Sequence, residues 1–233
     1  MKKKILIILA IIIVIVLAII GYFVYQDFMQ EEKLITELNE ISDLANSGYP
    51  NTNMDEINEM LERTVTTGDY AVVEMAFKSY LKDNFNNTIE IAELLNDERI
   101  TTILTAENYK EDGKEFTNTK EYINTTRDKL KECKEKYVEF FTEEKAMSYI
   151  NNKGLDSYYT DFYKQEFVGD IENIGDSKII EDSINEVIEV LNTSEEIINF
   201  LVENKNSWNI DGDNIVFSSE SLSNKYNEII SKL

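Results

Sequence analysis

Carboxylates are the chemistry-bearing side chains this chain has in quantity. Of 233 residues 45 are Asp or Glu, histidine is absent, and cysteine occurs once, at Cys133. Two carboxyl groups flanking a glycosidic bond can hydrolyse it, one as acid and the other as base or nucleophile. The spacing of the acids nominates no such pair. Without histidine, Ser-His-Asp and Cys-His nucleophilic systems are excluded, as are zinc sites built on imidazole, and one thiolate makes no zinc site. No glycine-rich loop of the phosphate-cradling kind is present. The one calcium-like string is Asp211-Gly212-Asp213-Asn214. An EF-hand loop needs its glycine sixth and a glutamate twelfth. Here the glycine is second and the twelfth position holds no glutamate, so the string reads as a hairpin turn. We assign no catalytic, cofactor-binding or metal-ligating residue, and expect no enzyme activity.

The remaining candidate is aromatic. Tyr158, Tyr159, Phe162, Tyr163 and Phe167 form a run able to stack on sugars or a peptide. Tyr159, Phe162 and Tyr163 lie at core spacing, so packing competes with binding for them. Three sequons, beginning at Asn86, Asn124 and Asn192, read as coincidence in an Asn-rich chain.

These residues must be carried by helices. Leu34, Leu38, Ile41 and Ala45 recur at helical steps, and Asn46–Pro50 ends that segment. Met54, Ile57, Leu61 and Val65 follow on a short helix capped by Asn53. A turn at Thr67–Asp69, with Asp69 as N-cap, opens a long helix over about 70–96, its stripe Val73, Phe77, Leu81, Phe85, Ala92 and Leu95. Thr105 caps a short turn that stops at Asp112-Gly113. Over 114–141, Phe116, Ile123, Leu130 and Tyr137 stand seven apart, with Thr119, Thr126, Cys133 and Phe140 as a companion row of mostly small residues. Thr142 and Asp156 cap two shorter helices, the second bearing the aromatic run, with a loop between Gly169 and Gly175. The last long helix starts at Ser177 and keeps phase through Ile180, Ile184, Val187, Leu191, Ile198 and Val202. Thr193 with Glu196 offers an alternative restart as a capping box. Trp208–Ile210 and Ile215–Phe217 flank the turn string as a hairpin. Ser219 caps a final helix with Leu222, Tyr226, Ile229 and Leu233.

The N-terminus sets the location. Residues 5–25 carry no charge and as a helix span about 31 Å, against a hydrocarbon core of ~30 Å. Lysines precede the span and acids follow it, so residues 1–4 are expected in the cytoplasm and residues 26–233 outside. Tyr22, Tyr25 and Phe28 suit the outer headgroup layer. The run is longer than a signal-peptide core and lacks a small-residue cleavage site. Three of the 23 basic residues precede the span and all 45 acids follow it, which leaves the outer part at −25. Such a charge repels nucleic acid and anionic headgroups and suits solubility, cations or a basic partner.

The tail, with Trp208, Gly212, Ile215, Phe217, Tyr226 and Asn227, resembles the C-terminal region of uncharacterised bacterial envelope proteins that carry a lipid or helix anchor and a helical body. The family has no established activity, so the resemblance implies location and fold only. This chain lacks the anchor cysteine of the lipid-anchored members. The expectation is an all-α protein: a transmembrane anchor, an elongated extracytoplasmic helical bundle and a small C-terminal β-hairpin. Its expected function is as a non-enzymatic envelope interaction or scaffold module, held by the bilayer and meeting an envelope protein or the cell wall. The alternatives are a ligand-binding module for cation, cell-wall polymer or peptide, and a carboxylate hydrolase.

Overall fold

Helical spacing puts Leu34, Leu38 and Ile41 on one face, and all three are buried on α1 (Met29–Asn46). The computed structural model describes residues 29–46, 54–169 and 178–233. The apolar stretch 5–25, the break after Asn46, the cap expected at Asn53 and the helix start expected at Ser177 lie outside the described residues. Among those described, no helix is long and apolar enough to cross a membrane. The described chain is mostly helical, with one antiparallel hairpin near the C-terminus. It divides into two compact units, one made of the residues up to Ala92 with Glu135–Ile180, the other of Glu93–Lys134 and Glu181–Leu233.

In the first unit, α2 (Met54–Glu62) packs on α1 and buries Ile57, Met60 and Leu61. Gly68 then takes φ +64°, a left-handed conformation that glycine adopts without steric cost. Asp69 is the first residue of α3 (Asp69–Leu95) rather than its cap. Val73, Phe77 and Leu81 are buried as expected, and so is Tyr80, whose hydroxyl donates to the carbonyl of Phe140 at 2.7 Å. Thr142 caps α7 (Glu143–Ser148), its hydroxyl accepting from Lys145 N–H at 3.2 Å. Asp156 caps α8 (Ser157–Tyr163), its carboxylate accepting from Tyr158 N–H at 3.0 Å. The chain then widens into a π-helical turn, Lys164–Val168.

The second unit opens with α4 (Glu98–Thr102) and α5 (Ala106–Asp112), the latter capped by Thr105 as expected. α6 (Thr117–Phe140) starts later than its heptad row suggests. Phe116, the first rung, precedes the helix at φ +52°. This is a strained region for a bulky residue, with a typical cost of ~1–3 kcal/mol. Complete burial and a stacked contact with Trp208 (ring centroids 6.1 Å apart) favour it there. Asp112 caps α6 from a distance, its carboxylate accepting from the N–H groups of Asn118 and Thr119 at 3.1 and 2.8 Å. Both rows of α6 that fall in this unit are buried, Ile123 and Leu130 on one and Thr119, Thr126 and Cys133 on the other.

α9 (Ile179–Glu203) runs unbroken past Thr193, so the capping-box restart is not used. Leu191, Ile197, Ile198 and Leu201 are all buried, and their packing outweighs the local cap. β1 (Trp208–Asp211) pairs with β2 (Asn214–Phe217), Trp208 opposite Phe217 and Asp211 opposite Asn214. Gly212, at φ +61°, takes the first of the two central turn positions, where a hairpin of this hand requires glycine. Trp208 is buried and its indole N–H donates to the carbonyl of Leu201 at 2.8 Å. Ser219 caps α10 (Glu220–Ile230), which buries Ile229 and lays Tyr226 against Phe217, with ring centroids 5.1 Å apart. Leu233, expected on the same stripe, lies beyond the helix and is exposed.

Candidate functional site

Tyr163 and Phe167 are four residues apart across the junction of α8 and the π-helical turn, and both point inward. Tyr163 is fully buried and Phe167 nearly so, against Phe77 at 4.8 and 4.4 Å between ring centroids. The Tyr163 hydroxyl donates to the carbonyl of Ala146 at 3.0 Å, and burial pushes its pKa far up. Those two members of the aromatic run are core. The other three stay near the surface: Tyr159 and Phe162 are partly buried and Tyr158 is 55% exposed. Tyr159 and Phe162 rest edge-on against Tyr70, at 5.2 and 6.1 Å, and Tyr158 is edge-on to Tyr159 at 5.2 Å. Edge-to-face packing is the arrangement that the ring quadrupole favours.

Two carboxylates border this patch. Glu31, at the start of α1, is buried and accepts a hydrogen bond from the Tyr70 hydroxyl at 2.5 Å. Glu166, on the π-helical turn, has one carboxylate oxygen buried with no hydrogen-bond partner. Burial, and then the charge of Glu31, raise its pKa. A carboxyl group held protonated above its usual range is a condition for general-acid chemistry. Glu166 lines neither of two open grooves among the described residues, one along Glu32, Lys33, Thr36, Glu37, Glu40 and Arg63, the other along Glu40, Asp43, Glu56, Glu59 and Arg63.

Sequence reasoning missed a buried ionic cluster in the same unit. Lys78 on α3 is fully buried, and its ammonium lies 2.8 Å from Glu37 Oε1 and 2.7 Å from Glu74 Oε1. It also donates to the carbonyl of Arg63 at 2.9 Å, so its three protons have three acceptors. Glu74 accepts from the N–H groups of Val65 and Thr66, the latter at 2.8 Å, and from the Thr66 hydroxyl at 2.5 Å. Arg63 grips Glu37 with two hydrogen bonds, at 2.8 and 2.6 Å. Burial alone would raise both glutamates. The donors outweigh it, chiefly Lys78 for Glu74 and Arg63 for Glu37, and hold both carboxyls below the usual range. The cluster ties α1, the end of α2 and α3 together, and the contacts its groups make on one another mark it as structural rather than reactive. In the sequence, Glu74 and Lys78 stand four apart, the spacing of an ordinary solvated helix pair, so no signal distinguished them.

In the second unit the Lys114 ammonium donates to the carbonyls of Lys205 and Trp208 at 2.8 and 2.7 Å and lies 4.7 Å from the centre of the Trp208 ring. Asp211–Asn214 forms the hairpin turn. Among the described residues no group of three or more Cys, Asp or Glu side chains is arranged to hold a metal ion.

No protein-family model, curated protein or solved structure matches this chain.

Proposed function

We propose that this chain is a membrane-anchored, non-enzymatic envelope protein, tethered by residues 5–25, with residues 1–4 cytoplasmic and residues 26–233 extracytoplasmic, and that it acts as an interaction or scaffold module. The observation that carries this reading is how the buried ionic cluster of the first unit is satisfied. Glu37, Glu74, Lys78 and Arg63 spend their hydrogen-bonding capacity on one another and on nearby backbone and Thr66, while the adjacent surface presents aromatic rings. The acidic exterior supports an extracytoplasmic or basic partner and disfavours nucleic acid. The C-terminal likeness to anchored helical envelope proteins fits the same location.

A second reading, ligand binding, draws support from Tyr158, Tyr159 and Phe162 beside Glu31 and Glu166, a pairing of rings and acids that suits a cationic or sugar ligand. The hydrolase alternative rests on Glu166 alone. In-cell cross-linking with a membrane-impermeant amine reagent separates these. A discrete heavier adduct of the full chain is the expected result. A chain that stays monomeric after cross-linking, and whose melting temperature rises with a soluble cell-wall fragment, would replace the scaffold reading with ligand binding.

A further inference from the structure

Two contacts fix the first described residues after the apolar stretch to the first unit. Gln30 Oε1 accepts from Thr67 N–H at 3.1 Å, and Glu31 Oε1 accepts from the Tyr70 hydroxyl at 2.5 Å. The edge-on stack Tyr70, Tyr159, Tyr158 starts from that second contact, with successive ring centroids 5.2 Å apart. The outermost ring, Tyr158, is 55% exposed. Glu31 follows Tyr25, the last residue of the apolar stretch, by six positions. Six residues cover about 9 Å as a helix and at most about 21 Å extended. The headgroup layer adds roughly 5–8 Å beyond the hydrocarbon on each side. On a helix Glu31 then lies at the outer edge of that layer, so the chain length permits the ring stack to meet it, at the depth where tyrosine concentrates on membrane proteins.

We propose that the face formed by Tyr158, Tyr159 and Phe162 docks on the outer lipid headgroup layer and holds the first unit against the bilayer. The proposal rests on the reading of residues 5–25 as a membrane span. Tyr158 is the exposed ring of this face, with Tyr159 and Phe162 partly buried beside it. Next to an anchor the face is a second point of attachment, made of two amphipathic tyrosine rings and the apolar Phe162. Glu31 is buried and accepts from the Tyr70 hydroxyl, so its carboxylate is not part of the docked surface. Asp161 and Glu32 are exposed, so the docked surface is zwitterionic rather than anionic lipid.

The test places the full chain in phosphatidylcholine nanodiscs, with and without Tyr158→Trp, and reads the difference emission under brominated phosphatidylcholine. Docking is expected to quench the added tryptophan by half or more and to shield it from aqueous acrylamide. An inserted chain whose added tryptophan ignores the brominated lipid but is quenched by acrylamide overturns docking and leaves the anchor intact. Protection from both quenchers means that another copy of the chain covers the patch, which also overturns it. A chain that washes off the bilayer at high pH removes the anchor reading and docking with it. Fluorotyrosine in the unaltered chain, with the Tyr158 resonance assigned by Tyr158→Phe and broadened by paramagnetic lipid, gives the same readout if the tryptophan variant does not fold.

Discussion

Replacing Lys78 with methionine keeps most of the side-chain volume and deletes the charge from between two buried carboxylates. Glu37 and Glu74 lose partners at 2.8 and 2.7 Å, and neither is solvated in exchange, since both are buried. Breaking a buried pair by removing one member costs about 3–5 kcal/mol, because a charge is left behind. Glu37 keeps Arg63, and Glu74 keeps Val65 and Thr66. These residual donors place the expected loss near the lower end, about 3 kcal/mol. With a urea m-value near 2 kcal/mol/M, the midpoint of unfolding by far-ultraviolet circular dichroism should fall by roughly 1.5 M. Two further results identify the cause. Adding Glu74→Gln to Lys78→Met should recover about half of the loss, since the orphaned charge goes with it. The loss should also shrink as the pH is lowered. In the parent the Glu74 pKa is depressed, so its contribution is present above the unfolded value and fades as pH falls through the folded one. Without Lys78 the carboxyl shifts upward, and protonation relieves the burial. A Lys78→Met loss below about 1 kcal/mol, or a double variant worse than the sum of the singles, would refute the cluster's structural role.

Glu166→Gln should raise stability at neutral pH. The raised pKa of Glu166 means that stability is lost as pH climbs from the unfolded value through the folded one, and thermal melts of parent and variant should converge below that window. Trp208→Ala should cost about 3–5 kcal/mol by urea titration, whereas Asp213→Ala, on the exposed hairpin turn, should cost under about 0.5. Native Cys133 should react with a thiol reagent only as fast as the protein opens, and Cys133→Arg should destabilise by several kcal/mol, because it puts a charge into the small-residue row of α6.

Local rules made the caps legible. Thr105, Thr142, Asp156 and Ser219 each hold the helix start that their side-chain oxygen suits. The rows Phe116–Tyr137 and Thr119–Phe140 were also readable, because burial follows a seven-residue period in a long helix. So was the hairpin, where glycine in the turn and alternating apolar residues agree. What periodicity hid was tertiary. Glu74 and Lys78 have the spacing of a solvated pair and are buried only because Glu37 and Arg63, distant in sequence, meet them. The aromatic run divides within α8: Tyr163, with Phe167 on the π-helical turn, goes to the core while Tyr158 on the same helix stays out. Tyr70, which joins the patch to Glu31, carries in the sequence only the signal of a helix start. The continuous α9 shows packing of Ile197, Ile198 and Leu201 overriding a local capping box.

The most direct test of the central claim is protease treatment of intact protoplasts expressing the full chain, followed by immunoblotting for the C-terminal residues. An uncleaved anchor with the bulk of the chain outside requires that the C-terminal signal disappear without lysis, while the chain before treatment stays in the membrane pellet at its full length. A signal that survives on intact protoplasts and is lost only after lysis would contradict the proposed topology, and with it the reading of this chain as an envelope protein.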